Sequence, residues 1–120
     1  MNDKAVLKGH KVVIIDDVVE WGKQFEGMDR RVNETTLPDG KWVSTVFLGL
    51  NYAFFDESKP QWFETMVFDG EKKEIKLMKS KYTLEHGESI DQDRYETWEE
   101  AKEGHKQMVL KWTNKGKTND

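Results

Sequence analysis

Two runs near the middle of the chain alternate side chains with a period of two, as strands do. Residues 42–50 (WVSTVFLGL) and 61–68 (QWFETMVF) are rich in β-branched and aromatic side chains, which favour extended backbone. Both alternating faces of 42–50 are largely apolar, which predicts a central strand covered on both sides. Residues 29–36 read as a strand, and the turn 37–40 (LPDG) favours a tight reversal after it. We therefore expect 29–36 and 42–50 to form a hairpin.

Four other segments have weaker patterns. Residues 11–15 (KVVII) are a short β-branched run, which predicts a strand. Residues 74–83 alternate less clearly, and their lysines are typical of a strand at a solvent-exposed sheet edge. Residues 51–60 and 85–93 are predicted to be loops. The first of these loops contains three aromatic residues, which we interpret as a lid over the core, with a partly exposed binding surface as the alternative.

The hydrophobic period changes to 3.6 in two segments, which predicts two amphipathic helices. The first spans about 17–26 and begins with Asp17 as its N-cap. The second spans about 98–112 and follows Thr97, the first residue of a capping box. Gly104 lies inside the second helix and lowers its helix propensity, so we expect it to permit close packing on the sheet.

These elements together predict one α+β domain over residues 1–113, with a flexible C-terminal tail at 114–120. Its expected architecture is a mainly antiparallel sheet of four to five strands packed by the two helices. The length of 120 residues suits a single domain. Only 36% of the residues are hydrophobic, but five Trp, six Phe and three Tyr supply large side chains for a core.

Charge and composition exclude several classes of function. The net charge is −4, with acidic and basic residues mixed along the chain, whereas nucleic-acid binding requires a basic surface. The absence of cysteine excludes disulfides, thiolate catalysis and Cys-ligated metals. The chain shows neither a run of about 20 apolar residues nor a signal-peptide pattern. We therefore expect no nucleic acid and no membrane among its partners, and a cytoplasmic location.

Few residues are candidates for catalysis. His105 lies on the apolar face of the second predicted helix, where a histidine is more often a hydrogen-bonded core residue than a ligand. Glu64 lies inside the apolar run 61–68, where an inward carboxylate requires a raised pKa or a basic partner such as Arg30 or Arg31. The three histidines have no metal-ligand spacing and nucleophile motifs are absent, so the sequence predicts no metal and no cofactor.

Three motifs occur together in this chain: VSTVFLGL at 43–50, FETMVF at 63–68 and YETWEEAKEGH at 95–105. In this combination the chain resembles a family of small uncharacterised proteins encoded by phages and by prophages in bacterial genomes. The resemblance spans roughly residues 17–110 and implies an origin in a bacterial host cell, without implying an activity. Where the family pattern has Asp-His after Gly-Leu, this chain has Asn51 and Tyr52, which keep hydrogen bonding but lose the charge and the imidazole.

Three hypotheses of function follow. The first is a non-enzymatic binding module for a host protein, a phage protein or a small ligand, since aromatic residues often anchor interfaces. The second is a small enzyme with a carboxylate and histidine site between the sheet and the last helix. The third is a virion component. The candidate binding residues are Asn51, Tyr52, Glu64, Tyr95 and His105. The sequence leaves the partner and the oligomeric state open.

Overall fold

The computed structural model describes residues 3–51, 59–71, 73–77 and 80–117, and confirms an α+β fold. The elements in these ranges are β1 (Ala5–Lys8), β2 (Lys11–Ile14), α1 (Val18–Glu26), β3 (Arg31–Thr36), β4 (Trp42–Phe47), β5 (Phe63–Phe68), β6 (Lys73–Leu77), β7 (Ser80–Leu84), β8 (Ser89–Tyr95) and α2 (Trp98–Lys117). Residues 52–58 of the predicted aromatic loop, which include Tyr52, lie outside the described residues.

The strands of the described ranges form three antiparallel sheets. The largest has four strands in the order β3-β4-β5-β8, while β1 pairs with β2 and β6 with β7. The predicted hairpin of 29–36 with 42–50 is confirmed as β3 and β4. The strand predicted at 61–68 is confirmed as β5, which lies beside β4 in the centre of the sheet.

Two sequence predictions in the second half of the chain are wrong. Residues 74–83 do not form one edge strand, because they divide between β6 and β7, which pair with each other. Residues 85–93 are not all loop, because β8 begins at Ser89 and pairs with β5 at the edge of the four-stranded sheet. The sequence of β8 (SIDQDRY) is almost entirely polar. Its strand conformation therefore depends on backbone pairing rather than on an alternating apolar face.

Strand β4 is central, as predicted, and its two faces differ. Val43, Thr45 and Phe47 are fully buried, whereas the residues between them are only half-buried. The buried face lies beneath α2. Helix α1, which the sequence was expected to place on the same sheet, packs on β1 instead. Among the described elements, α2 is therefore the helix that builds the core with the four-stranded sheet.

Both helices begin at their predicted caps. The Asp17 carboxylate accepts the backbone N–H groups of the second and third residues of α1, at 2.9 and 3.2 Å. Thr97 Oγ1 accepts the N–H of Glu100 and donates to its carboxylate, both at 3.1 Å. The predicted cap is therefore present, but the Glu100 carboxylate binds the Thr97 hydroxyl, whereas in a capping box it binds the backbone N–H of the cap residue. Helix α2 continues to Lys117. Residues 114–117 of the predicted tail are therefore helical.

The core between the sheet and α2 is built around aromatic rings. Phe47 and Phe63 are fully buried, and their ring centroids lie 5.4 Å apart. Trp98 of α2 meets Phe63 edge-on at 6.2 Å, a favourable aromatic geometry. Trp98 is half-buried, and its ring also stacks on His10 of the β1–β2 turn at 3.9 Å.

The two outer strands of the four-stranded sheet have short polar side chains that bind the N–H group of the following residue. On β3, Asn33 Oδ1 accepts the N–H of Glu34 at 2.8 Å. On β8, Asp91 and Asp93 accept the N–H groups of the residues that follow them, at 2.9 and 2.8 Å. Alternate N–H groups of an edge strand point away from the sheet. These side chains supply hydrogen-bond partners for such groups locally.

Candidate functional site

His105 of α2 points into the sheet and is only 2% exposed. Its Nε2 lies 2.9 Å from Thr35 Oγ1 on β3, and its Nδ1 lies 2.7 Å from Thr45 Oγ1 on β4. The predicted position of His105 on the apolar face of the helix is therefore confirmed. Both ring nitrogens have a hydroxyl partner inside the protein.

The hydrogen bonds continue across the sheet to Thr65, which lies beside Tyr95. Thr45 Oγ1 lies 2.5 Å from Thr65 Oγ1 on β5, and the side chain of Thr65 is close enough to the Tyr95 phenol on β8 to lower its pKa. We call Thr35, His105, Thr45, Thr65 and Tyr95 the hydroxyl–imidazole network. It contacts all four strands of the sheet, and Thr45 and Thr65 are directly paired by the β4–β5 register.

Burial keeps the titratable members of this network neutral. It lowers the pKa of His105, because the charged ring would lose its hydration. It also raises the pKa of the Tyr95 phenol, and this effect of burial is larger than the opposite effect of the neighbouring Thr65 side chain. A neutral imidazole has one donor and one acceptor nitrogen, and both are already used. In this arrangement His105 has no free nitrogen with which to accept a proton from a substrate.

Lowering the pH through 6.5 is expected to reduce the free energy of unfolding. The ordinary pKa of a histidine is 6.5, and that of His105 is lower in the folded protein. Between the two values the unfolded chain binds more protons, so this stability is complete above the unfolded pKa and declines as the pH falls toward the folded pKa. Urea denaturation at about pH 7.5 and about pH 5.5 measures the effect.

The control for this experiment is His105→Gln, which should abolish the change in stability between the two pH values. A change that persists in the variant would show that His105 is not its source. A separate loss of stability should remain in more acidic solution. The hydrogen bond from Lys111 lowers the pKa of the Asp91 carboxyl below 3.8 in the folded protein. The stability that the ionised carboxylate contributes is therefore lost only as the pH falls through the folded pKa of Asp91.

Glu64 lies on the other face of the sheet from this network. Its Oε2 accepts a hydrogen bond from Arg94 Nε at 2.9 Å, and the two residues are cross-strand partners in β5 and β8. Arg94 therefore takes the place that the sequence analysis assigned to Arg30 or Arg31. With its side chain 12% exposed, Glu64 is half of an ion pair within the sheet.

Asn51 lies just beyond the end of β4. Its Oδ1 accepts the backbone N–H of Gln61 at 2.9 Å, and its own N–H donates to the carbonyl of Asp3 at 3.0 Å. Tyr95 and His105 thus belong to one network, whereas Glu64 lies on the opposite face of the sheet. Asn51 instead connects the segment after β4 to Asp3 and Gln61.

The three threonines of the network were not identified by the sequence analysis. Thr45 nevertheless interrupts an apolar face of 42–50, which is a recognisable signal for a buried hydroxyl.

A groove of about 660 Å³ separates α2 from β8. We call it the α2–β8 groove. Three of its lining residues that are buried or half-buried, Tyr95, Gly104 and Met108, form what we call its floor. Gly104 packs directly on Tyr95, because a Cβ atom there would lie only 2.2 Å from the phenol ring. This confirms the expectation that Gly104 permits close packing on the sheet.

Carboxylates surround this floor. The lining includes five of them and one lysine: Asp91, Asp93, Glu99, Glu100, Glu103 and Lys111. Lys111 Nζ and Trp112 Nε1 both donate to Asp91 Oδ2, at 2.7 and 2.9 Å. No ion pair among the described residues involves the other four carboxylates. The lining therefore has a net negative charge.

The groups of the described residues do not gather into a metal site. No set of three or more His, Asp or Glu side chains within the described ranges is arranged to hold a metal ion. His10 and His86 stack on different tryptophans, Trp98 and Trp42. The described carboxylates of the α2–β8 groove therefore include no set of three that could hold one metal ion.

Comparison of the chain with protein-family models, with curated proteins and with solved structures finds no significant match. In the part of the chain that the structure describes, neither helix has the length and hydrophobicity needed to cross a membrane.

Proposed function

We propose that this chain is a small phage or prophage accessory protein that acts by binding a partner protein, and that the α2–β8 groove is its contact surface. The observation that carries the proposal is the position of His105 inside the hydroxyl–imidazole network. A general base must reach the proton that it removes, whereas both nitrogens of His105 are bound to threonine hydroxyls in the core. The phage or prophage origin is supported by the sequence resemblance.

The groove is favoured as the contact surface because it combines a half-buried aromatic ring with exposed charge. Tyr95 and Met108 provide apolar contact area, and exposed carboxylates line both walls. Aromatic residues and methionine are enriched in protein interfaces. Glu64, the carboxylate of the alternative enzymatic site, is paired with Arg94 on the opposite face of the sheet. Recognition at the groove therefore agrees better with these contacts than turnover does.

Affinity capture from a bacterial lysate tests this function. The wild-type chain is compared with the variant Asp93→Asn/Glu103→Gln, which neutralises one carboxylate on each wall of the groove. We expect the wild type to retain a specific protein that the variant loses. The matched control is Glu26→Gln/Glu71→Gln, which removes the same charge from exposed positions outside the groove and should retain that protein. Substrate turnover by the purified chain that Tyr95→Phe abolishes without lowering the melting temperature would contradict the proposal.

A further inference from the structure

We propose that the α2–β8 groove binds an extended, lysine- or arginine-rich segment of the partner protein in which apolar residues alternate with the basic ones. This inference rests on the proposed function, because it assumes that the groove is the contact surface. It adds the chemistry of the partner. Three features of the groove carry it: the charge of its walls, the spacing of that charge and the nature of its floor.

The charge of the walls specifies a cationic partner. Five carboxylates and one ammonium give the lining a net charge of −4. Asp91 is the carboxylate that Lys111 pairs with, and Asp93 accepts only the backbone N–H that follows it among the described hydrogen bonds. Like charges in one groove repel each other, and their summed field attracts a cation and accelerates its association.

The spacing of the charge specifies an extended partner. The carboxylates come from both walls, two from β8 and three from α2, so several positive charges spread along the groove match them. The pair of Asp91 with Lys111 shows the type of contact inside the molecule itself, with an ammonium 2.7 Å from a carboxylate oxygen beside the indole of Trp112. A basic peptide segment would repeat this contact along the walls.

The floor specifies apolar residues between the basic ones. Tyr95 and Met108 offer an aromatic ring and a thioether at the base of the groove, and a cation also interacts favourably with a tyrosine face. The volume of about 660 Å³ falls within the range of about 300–1,000 Å³ typical of ligand sites. Because Asp91 and Asp93 occupy N–H groups of β8, the segment binds through its side chains rather than as an added strand.

Fluorescence anisotropy with a labelled peptide of about eight alternating arginine and leucine residues tests the proposal. We expect Asp93→Asn/Glu103→Gln to weaken binding about five- to tenfold, since each exposed charge pair contributes up to about 1 kcal/mol. The control Glu26→Gln/Glu71→Gln, with the same change in net charge, should weaken it less than about twofold. Raising the salt concentration should weaken binding to the wild type. Circular dichroism establishes that both variants are folded.

Five results would overturn the proposal. Equal weakening by the two double variants would mean that net charge alone governs binding. Equal binding of a peptide of alternating glutamate and leucine would mean that only apolar contact matters. Displacement of the arginine peptide by an equal concentration of spermine would indicate a small polyamine ligand instead. Absence of peptide binding, with lysate capture that still depends on Asp93 and Glu103, would reject the basic partner but keep the proposed function. Loss of both the peptide binding and the lysate capture that depends on Asp93 and Glu103 would reject the basic partner and the proposed function together.

Discussion

Replacing Thr45 with valine is expected to lower the free energy of unfolding by about 2–4 kcal/mol. The two side chains have nearly the same shape, so the change leaves little or no cavity. It removes the hydroxyl that binds both His105 Nδ1 and Thr65 Oγ1. Each of those groups belongs to a residue at most 2% exposed, and a buried polar group without its partner costs about 1–3 kcal/mol.

Two threonines on β3 provide matched comparisons for this prediction. Thr35→Val also removes a partner of His105, but Thr35 is only half-buried, so water can replace part of the lost bond and the cost should be about 1 kcal/mol. Thr36 is exposed, and Thr36→Val should change stability by less than about 0.5 kcal/mol. Chemical denaturation should therefore rank the three variants by burial. A Thr45→Val variant as stable as Thr36→Val would show that the network does not stabilise the fold.

Two glycine-to-alanine substitutions in helices are expected to have opposite effects. Gly22→Ala in α1 places its new methyl group in open space and should stabilise the protein by about 1 kcal/mol through helix propensity. Gly104→Ala in α2 brings the same gain in propensity. Its methyl group would, however, lie 2.2 Å from two ring atoms of Tyr95, and overpacking typically costs about 1–3 kcal/mol. We expect a net loss of stability at Gly104.

Tyr95 determines the size of this loss, which a double-mutant cycle can measure. The ring is half-buried beside Thr65, so moving it away from Gly104 would disturb its packing against the network. In a Tyr95→Leu background the ring is gone, and Gly104→Ala should become neutral or stabilising. Thermal melts of the wild type, the Gly104→Ala and Tyr95→Leu variants and the double variant measure this coupling. Gly22→Ala serves as the reference for the gain in helix propensity. A stabilising Gly104→Ala in the wild-type background would mean that α2 can move away from β8 at no cost.

The sequence was sufficient to predict the elements whose own side chains specify them. Asp17 and Thr97 cap their helices through local hydrogen bonds, and the turn before β4 has the residues that such a turn requires. Strand β8 could not be found in this way, because its polar residues gain their strand conformation from pairing with β5. The hairpin of β6 and β7 was missed for the same kind of reason, since a backbone pairing divides what the pattern suggested was one strand.

The prediction of the candidate site was limited in the same way, because it also depends on strand pairing. His105 and Tyr95 were named as candidates, but the threonines that join them belong to three different strands, and their proximity depends on strand order. The α2–β8 groove was missed because Asp91 and Asp93 were assigned to a loop. Once β8 is placed beside β5, the alternation of the strand brings both carboxylates to the side that α2 covers.

The polar side chains at the outer strands have a consequence for the protein at high concentration. Fibrils grow when an open sheet edge recruits the same segment from another molecule. Asn33, Asp91 and Asp93 bind backbone N–H groups of both outer strands, so fewer donors remain for an incoming copy. Amyloid-like stacking of copies through the two outer strands is thereby made less favourable.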